Sequence, residues 1–254
     1  MKRPILAITM GDPASIGPEL CIKALMKEEV YKKSRPIIIG DLKVLDKAIS
    51  MLDLEDKIVT NPIKAIEEAK FTYGIIDVFD MDLVDIESLE LGRVSKQAGE
   101  ASFQYVKKAI DLAMSGEVDG TVTNAINKEA INLAGYQFSG HTEIYAEYTG
   151  TKDYSMLLIH GNLRVIHVST HVSLRQACDL VKKERIYKVI KMANEICLRI
   201  GIPAPKIGVA GLNPHSGENG LFGYEEIEEI IPGINKAKKE NIDVKGPISP
   251  DVLF

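Results

Sequence analysis

Short aliphatic runs that stop at a glycine and give way to helical spacing recur along this chain, and that alternation restricts its fold more than any other feature. The run from Lys2 to Met10, with ILAITM at its centre, breaks at Gly11-Asp12-Pro13, and Pro18 then opens a stretch with Leu20, Ile22, Ala24 and Leu25 at helical positions. The order repeats with Pro36 to Ile39, the break at Gly40-Asp41, and helical spacing over Leu42 to Met51. Further short strands are predicted at Ile58 to Val59, Ile75 to Phe79 and Gly120 to Thr123. The last follows a long amphipathic stretch from Gly99 that sets Phe103, Val106, Ile110 and Ala113 on one face and stops at Gly116. Parallel strands need long crossovers and helices supply them, so the pattern predicts an α/β fold with a largely parallel sheet.

The middle of the chain departs from this order. Met156 to Ile159 and Leu163 to Val168 flank His160-Gly161-Asn162, in which Gly161-Asn162 is a good two-residue turn, and this predicts an inserted antiparallel hairpin. Beyond it, Ile186, Val189, Ile190, Ala193, Cys197 and Ile200 form a helical stripe that Gly201 caps. A buried strand is expected at Ile207 to Ala210, and a last helix from Tyr224 to Lys239. The change of topology sets the expected domain boundary: residues 1–125 as a first α/β domain, and 126–254 as a second that carries the hairpin near 156–169.

At 254 residues and 45% hydrophobic composition the chain can bury a sizeable core. No apolar run approaches the length of a membrane span and the N-terminus lacks a signal-peptide pattern, so a cytoplasmic protein with no membrane contact is expected. Cys21, Cys178 and Cys197 are odd in number and lack a CxxC pair; they read as buried thiols rather than disulfides or metal ligands. With 36 acidic against 31 basic residues the net charge is −5, which gives no reason to expect nucleic acid. A small partner is expected instead.

Ligands of a parallel α/β sheet gather where strands end, so the residues after each strand carry the functional argument. In GDPASIGPE, Gly11 and Gly17 permit tight turning and the helix start at Pro18 can receive an anion, although Asp12 also fits a plain turn. In TNAINK, Lys128 could pair with a phosphate or carboxylate, or be a solvated surface lysine. In SGHTE, Thr142 or Ser139 could cap a helix with Glu143 favourable at its positive end, which explains His141 less well, although a histidine beside a glycine is often only a hydrogen-bonded loop residue. His171 in STH and His215 in NPHSGE both follow strand ends and could converge on one metal ion, whereas His160 and His167 lie on the hairpin and read as structural.

Taken in order, GDPASIGPE, VSKQAG, TNAINKEA, GHTE, STHVSLR, GLNPHSGENGLFGYEE and GPISPDVLF resemble the 4-hydroxythreonine-4-phosphate dehydrogenase family of pyridoxal-phosphate biosynthesis, over essentially the whole chain. ITMGDP, VIHVSTHVSLR and NGLFG look closer to the branch acting on four-carbon sugar acid phosphates such as threonate or erythronate 4-phosphate. The resemblance implies two α/β/α domains around a cleft, like isocitrate and isopropylmalate dehydrogenases, and a homodimer with shared active sites. It implies NAD or NADP as cofactor together with a divalent metal, Zn, Mg, Co or Mn. The GxGxxG nucleotide fingerprint is absent, as that fold implies.

Carried over motif by motif, His141 and Thr142 fall on substrate-contacting positions, and His171 and His215 on two of three metal-ligating histidines. Lys128 and Asp12 are the candidate catalytic residues, Lys128 toward phosphate and Asp12 as polar support. The family's third histidine belongs to a segment downstream of GP-x-P-x-D-x-x-F, within which this chain stops, so truncation is expected. Ser15, Asn124-Ala125, Ser139 and Ser216 depart from the usual loop residues without removing a presumed ligand. Two rival readings remain: an inactive homologue, and a non-redox enzyme of phosphate esters such as an acyl-phosphate transferase of related architecture.

Overall fold

The computed structural model describes residues 3–254, so Lys2, at the edge of the first predicted strand, lies outside it. The chain divides into two compact units, the first ending at Lys152 and the second running over Asp153–Phe254. In chain order the first unit holds β1 (Ile5–Thr9), α1 (Gly17–Leu25), α2 (Glu28–Lys33), β2 (Arg35–Gly40), α3 (Leu42–Met51), β3 (Val59–Ile63), β4 (Ile75–Asp80), α4 (Lys96–Met114), β5 (Gly120–Thr123), α5 (Lys128–Leu133) and α6 (His141–Thr149). The second holds β6 (Leu157–His160), β7 (Leu163–Ile166), α7 (Leu174–Asp179), α8 (Lys183–Arg199), β8 (Ile207–Ala210), α9 (Ile231–Lys238), β9 (Val244–Ile248) and α10 (Pro250–Leu253).

The first unit is built on a five-stranded parallel sheet in the order β3-β4-β2-β1-β5. Central β2 is continuously apolar because both its faces are covered, and Ile37, Ile38 and Ile39 are fully buried. Thr9 pairs with Ile39 on one side and Thr123 on the other, so the loops after β1, β2 and β5 leave the sheet at the same end. This is the α/β architecture with a parallel central sheet that the sequence predicted, of the isocitrate dehydrogenase-like class.

Helix α4 has two buried faces where the sequence stripe showed one. Ala98, Ala101, Tyr105, Ala109 and Leu112 pack into the core that covers the sheet. Phe103, Val106 and Ile110 join Ile131 of α5 and Ile144 of α6 in a separate cluster, where Phe103 stacks on Tyr136 with ring centroids 3.6 Å apart. Residues 126–152, which the sequence pattern grouped with the second half, therefore pack on α4 of the first unit. Gly99 makes that packing possible, since a Cβ there would lie 1.9 Å from the Ala130 carbonyl oxygen.

In the second unit β6 and β7 form the predicted antiparallel hairpin, with His160 opposite Leu163. Strand β8 pairs in parallel with β9, which sequence periodicity did not reveal because Gly246-Pro247 interrupts it. Ile186 and Ile190 of α8 pack against Ile230, Ile234 and Ala237, and against Val244 of β9. The predicted helix from Tyr224 begins later, as a π-turn over Glu226–Ile230 that runs into α9 with Pro232 in its first turn. Of the three cysteines only Cys21 is buried; Cys178 is exposed on α7, a helix without any buried residue, and Cys197 is half-buried. Among the described residues no helix is long and apolar enough to cross a membrane.

Candidate functional site

In the first unit the loops after β1 and β5 are stitched together. The Asp12 amide donates to the Ala125 carbonyl at 3.0 Å, while Asn124 donates through its backbone N–H to Thr9 Oγ1 and through Nδ2 to the Thr9 carbonyl. Gly11 takes φ +79° where a side chain would meet Ala125 O at 2.6 Å, so glycine is required by both conformation and space. Asp12 itself is only 3% exposed and accepts the Ala14 N–H on Oδ1 at 2.8 Å. Burial pushes its carboxyl above the ordinary value, and the Ala14 bond partly offsets this. The side chain shapes the loop from within.

Two helix starts follow. Asn127 caps α5 by accepting from the Ala130 N–H at 3.0 Å, which sets exposed Lys128 at the first helical position. Helix α6 has no such cap: Gly140 occupies the position, and neither Ser139 nor Thr142 closes the helix end. His141, Thr142 and Glu143 form its first turn, each half-buried. The Nε2 of His141 and the Oε2 of Glu143 are both buried and both without a hydrogen-bond partner. The Lys128 chain passes beside them, its Cε 3.9 Å and Glu143 Oε2 3.6 Å from where a Gly140 side chain would begin. Buried polar atoms are almost always paired, so two orphans in one turn describe a place prepared for a polar group: the open helix end and Lys128 favour an anion there, and the Glu143 oxygen favours a donor such as a hydroxyl.

Desolvation holds the His141 imidazole below its ordinary value of 6.5. Above 6.5 folded and unfolded chains both carry a neutral ring and the group has no effect on stability. As pH falls below that point the unfolded chain takes up the proton first, so stability drops until the folded ring also titrates. Thermal unfolding measured from about pH 8 down to about pH 5.5 should show this loss in the wild type and less of it in His141→Asn. Inorganic phosphate should reduce it, because an anion at Nε2 favours the imidazolium. A pH dependence identical in both proteins would show that His141 is not the group responsible.

The two metal-ligand candidates lie in the second unit, each beyond the end of a strand. His171 is exposed and takes φ +58°, a strained conformation for a residue with a side chain. His215 is exposed with φ −97° and ψ 2°, and four successive residues after it, Ser216 to Asn219, have positive φ. Asn213 Oδ1 supports this loop by accepting from the N–H groups of His215 at 3.0 Å and Gly217 at 3.2 Å. The His215 ring tilts on Phe222 at 5.3 Å, and its Nδ1 is 3.9 Å from Glu218 Oε2. Strained backbone concentrates at functional sites, and both histidines sit in it.

Two imidazoles on such loops suit zinc or a similar ion as donors, and catalytic sites of that kind take three protein ligands. Among the described residues no cluster of three or more His, Cys, Asp or Glu side chains could hold a metal, so His171 and His215 are candidates for part of a coordination shell. His160, exposed at the end of β6, lies on neither loop. A cavity of about 520 Å³ in the second unit is lined chiefly by apolar groups such as Val165, Ile196 and Leu253 and contains none of the six candidates.

The sequence marks Glu143 only as a charge suited to a helix start, Asn124 only as a departure from the usual loop residue and Gly99 only as the start of a helical stretch. The signals were present, since both Asn124 and Gly99 fall inside motifs, but their roles depend on neighbours distant in sequence.

Comparisons with known proteins add an independent view. A family model described as pyridoxal phosphate biosynthetic protein PdxA matches residues 32–254. A protein of Oceanobacillus iheyensis provisionally named a D-threonate 4-phosphate dehydrogenase is 47% identical over 254 residues, covering 100% of this chain and 76% of that protein. One of Clostridium botulinum, strain Hall, with the same provisional name is 44% identical over 253 residues, covering 100% and 75%. The crystal structure of 4-hydroxythreonine-4-phosphate dehydrogenase from Klebsiella pneumoniae matches with a TM-score of 0.91 at 40% identity, covering 100% and 76%.

Proposed function

Because this chain belongs to the PdxA family of pyridoxal phosphate biosynthetic proteins, whose relatives are named as dehydrogenases, we propose that it oxidises and then decarboxylates a phosphorylated four-carbon hydroxy acid of the D-threonate 4-phosphate type. In the oxidation the carbinol carbon gives up a hydride and its hydroxyl gives up a proton. The resulting β-keto acid loses carbon dioxide, and the electron pair left on the α-carbon takes up a proton. When bound, a divalent metal would polarise the hydroxyl and carboxylate, and NAD or NADP would accept the hydride.

The observation that carries this reading is the uncapped first turn of α6, with the unpaired His141 Nε2 and Glu143 Oε2 beside Lys128. His141 and Thr142, with the open N–H groups of α6, bind the substrate phosphate, and Lys128 adds a positive charge. Glu143 Oε2 is an acceptor and suits a substrate hydroxyl. Asp12 acts in support, by holding the loop after β1 in shape. His171 and His215 would supply two imidazole donors to a divalent metal. The reading includes a cytoplasmic homodimer, as the family resemblance implies.

The test is nicotinamide reduction by the protein with the 4-phosphates of threonate, erythronate and 4-hydroxythreonine, with divalent metal and with chelator. Metal-dependent reduction, fastest with a sugar acid phosphate, is expected. Phosphate-ester binding with no reduction of NAD or NADP by any of the three would sink the dehydrogenase reading.

A further inference from the structure

Beneath the His215 loop lies a side chain whose sequence setting gives no hint of its place. Glu226 belongs to the acidic run EEIEE, yet it is 2% exposed while Glu225 is half-buried and Glu228 faces solvent. Its Oε1 accepts the Leu212 N–H at 2.8 Å, just ahead of the turn that carries His215. Its Oε2 has no hydrogen-bond partner, and it lies 2.6 Å from where a side chain at Gly217 would begin. The loop thus rests on this carboxylate at Leu212 and again at Gly217, on either side of His215.

A buried carboxylate with one oxygen unpaired destabilises a fold, and an apolar residue of the same shape would usually serve stability as well or better. What Glu226 provides is an anchor for backbone that would not hold itself: four successive residues, Ser216 to Asn219, have positive φ, three of them with side chains. We propose that Glu226 is a positioning residue for His215, fixing the 212–220 loop so that the imidazole is presented to the metal. This rests on the reading of His215 as a ligand. Supporting groups of this kind typically govern metal affinity by ten- to hundredfold.

The test compares Glu226→Gln, which retains an acceptor for Leu212, with Glu226→Leu, which does not. Amide hydrogen exchange of residues 212–220 and zinc affinity by titration are the two readouts. In Glu226→Leu, loop exchange should rise by about tenfold or more with α8 unchanged, and zinc affinity should fall by about tenfold. Glu226→Gln should stay within about threefold of wild type in both. If Glu226→Leu does not fold, Glu226→Ala also removes the acceptor for Leu212 without adding bulk and should loosen the same segment. Exchange that rises equally in the loop and α8, or a loosened loop with wild-type zinc affinity, would overturn the proposal. Zinc affinity equal in wild type and His215→Ala would instead remove the ligand reading, while loop exchange in the Glu226 variants would still decide whether Glu226 anchors the loop.

Discussion

Gly99→Ala is expected to cost this protein about 3 kcal/mol of stability, a large effect for adding one methyl group. The new Cβ would stand 1.9 Å from Ala130 O, 2.2 Å from its carbonyl carbon and 2.7 Å from Ile131 N. All three atoms belong to the backbone, so no rotamer change can relieve the clash and α5 must move off α4. Gly116→Ala is the control: it has φ +79° but open space around its Cβ, and should cost only about 1–2 kcal/mol, the ordinary price of a left-handed alanine. Denaturant unfolding of the two variants measures the difference. Equal losses would mean that the α4–α5 approach is not the constraint described. Because Lys128 opens α5, the folded fraction of Gly99→Ala should also bind inorganic phosphate more weakly.

The second large effect is functional. His171→Ala and His215→Ala should each lower metal-dependent turnover by more than about a hundredfold, because removing a supporting residue alone costs up to that much and these are proposed as ligands themselves. Both should weaken zinc binding as well. His160→Ala, at the end of β6 and away from both loops, should change neither. Similar zinc affinity in all three variants would show that the ion is held elsewhere.

How far the sequence anticipates the structure depends on whether a signal is local. Strands β1, β2 and β5 and the β6–β7 hairpin are legible because an apolar run, a glycine break and a two-residue turn each lie within a few residues. Strand β9 is not, because Gly246-Pro247 resembles a turn and only pairing with β8 makes it a strand. The stripe of Phe103, Val106 and Ile110 on α4 is legible, but its partners Tyr136, Phe138 and Ile144 lie more than a helix length away in sequence, so the position of α5 and α6 is not. The site shows the same division. The motifs point to His141, Thr142, His171 and His215, but the unpaired atoms of His141 and Glu143, and the burial of Glu226, exist only once the chain has closed on itself.

The separate aromatic cluster on the outer face of α4 also sets an order of events. The sheet and the inner face of α4 form a core that does not include α5 or α6, whereas those two helices have α4 as their main support, with Tyr145 tied to Thr121 by one hydrogen bond of 2.7 Å. An opening confined to these two helices would uncover Phe103 while the strands remain paired, and an opening of part of a fold costs less than unfolding all of it. Lys128 lies on one of these helices and His141 on the other. A phosphate bound to both would act as a clasp, so that the ligand would order the part of the protein that recognises it.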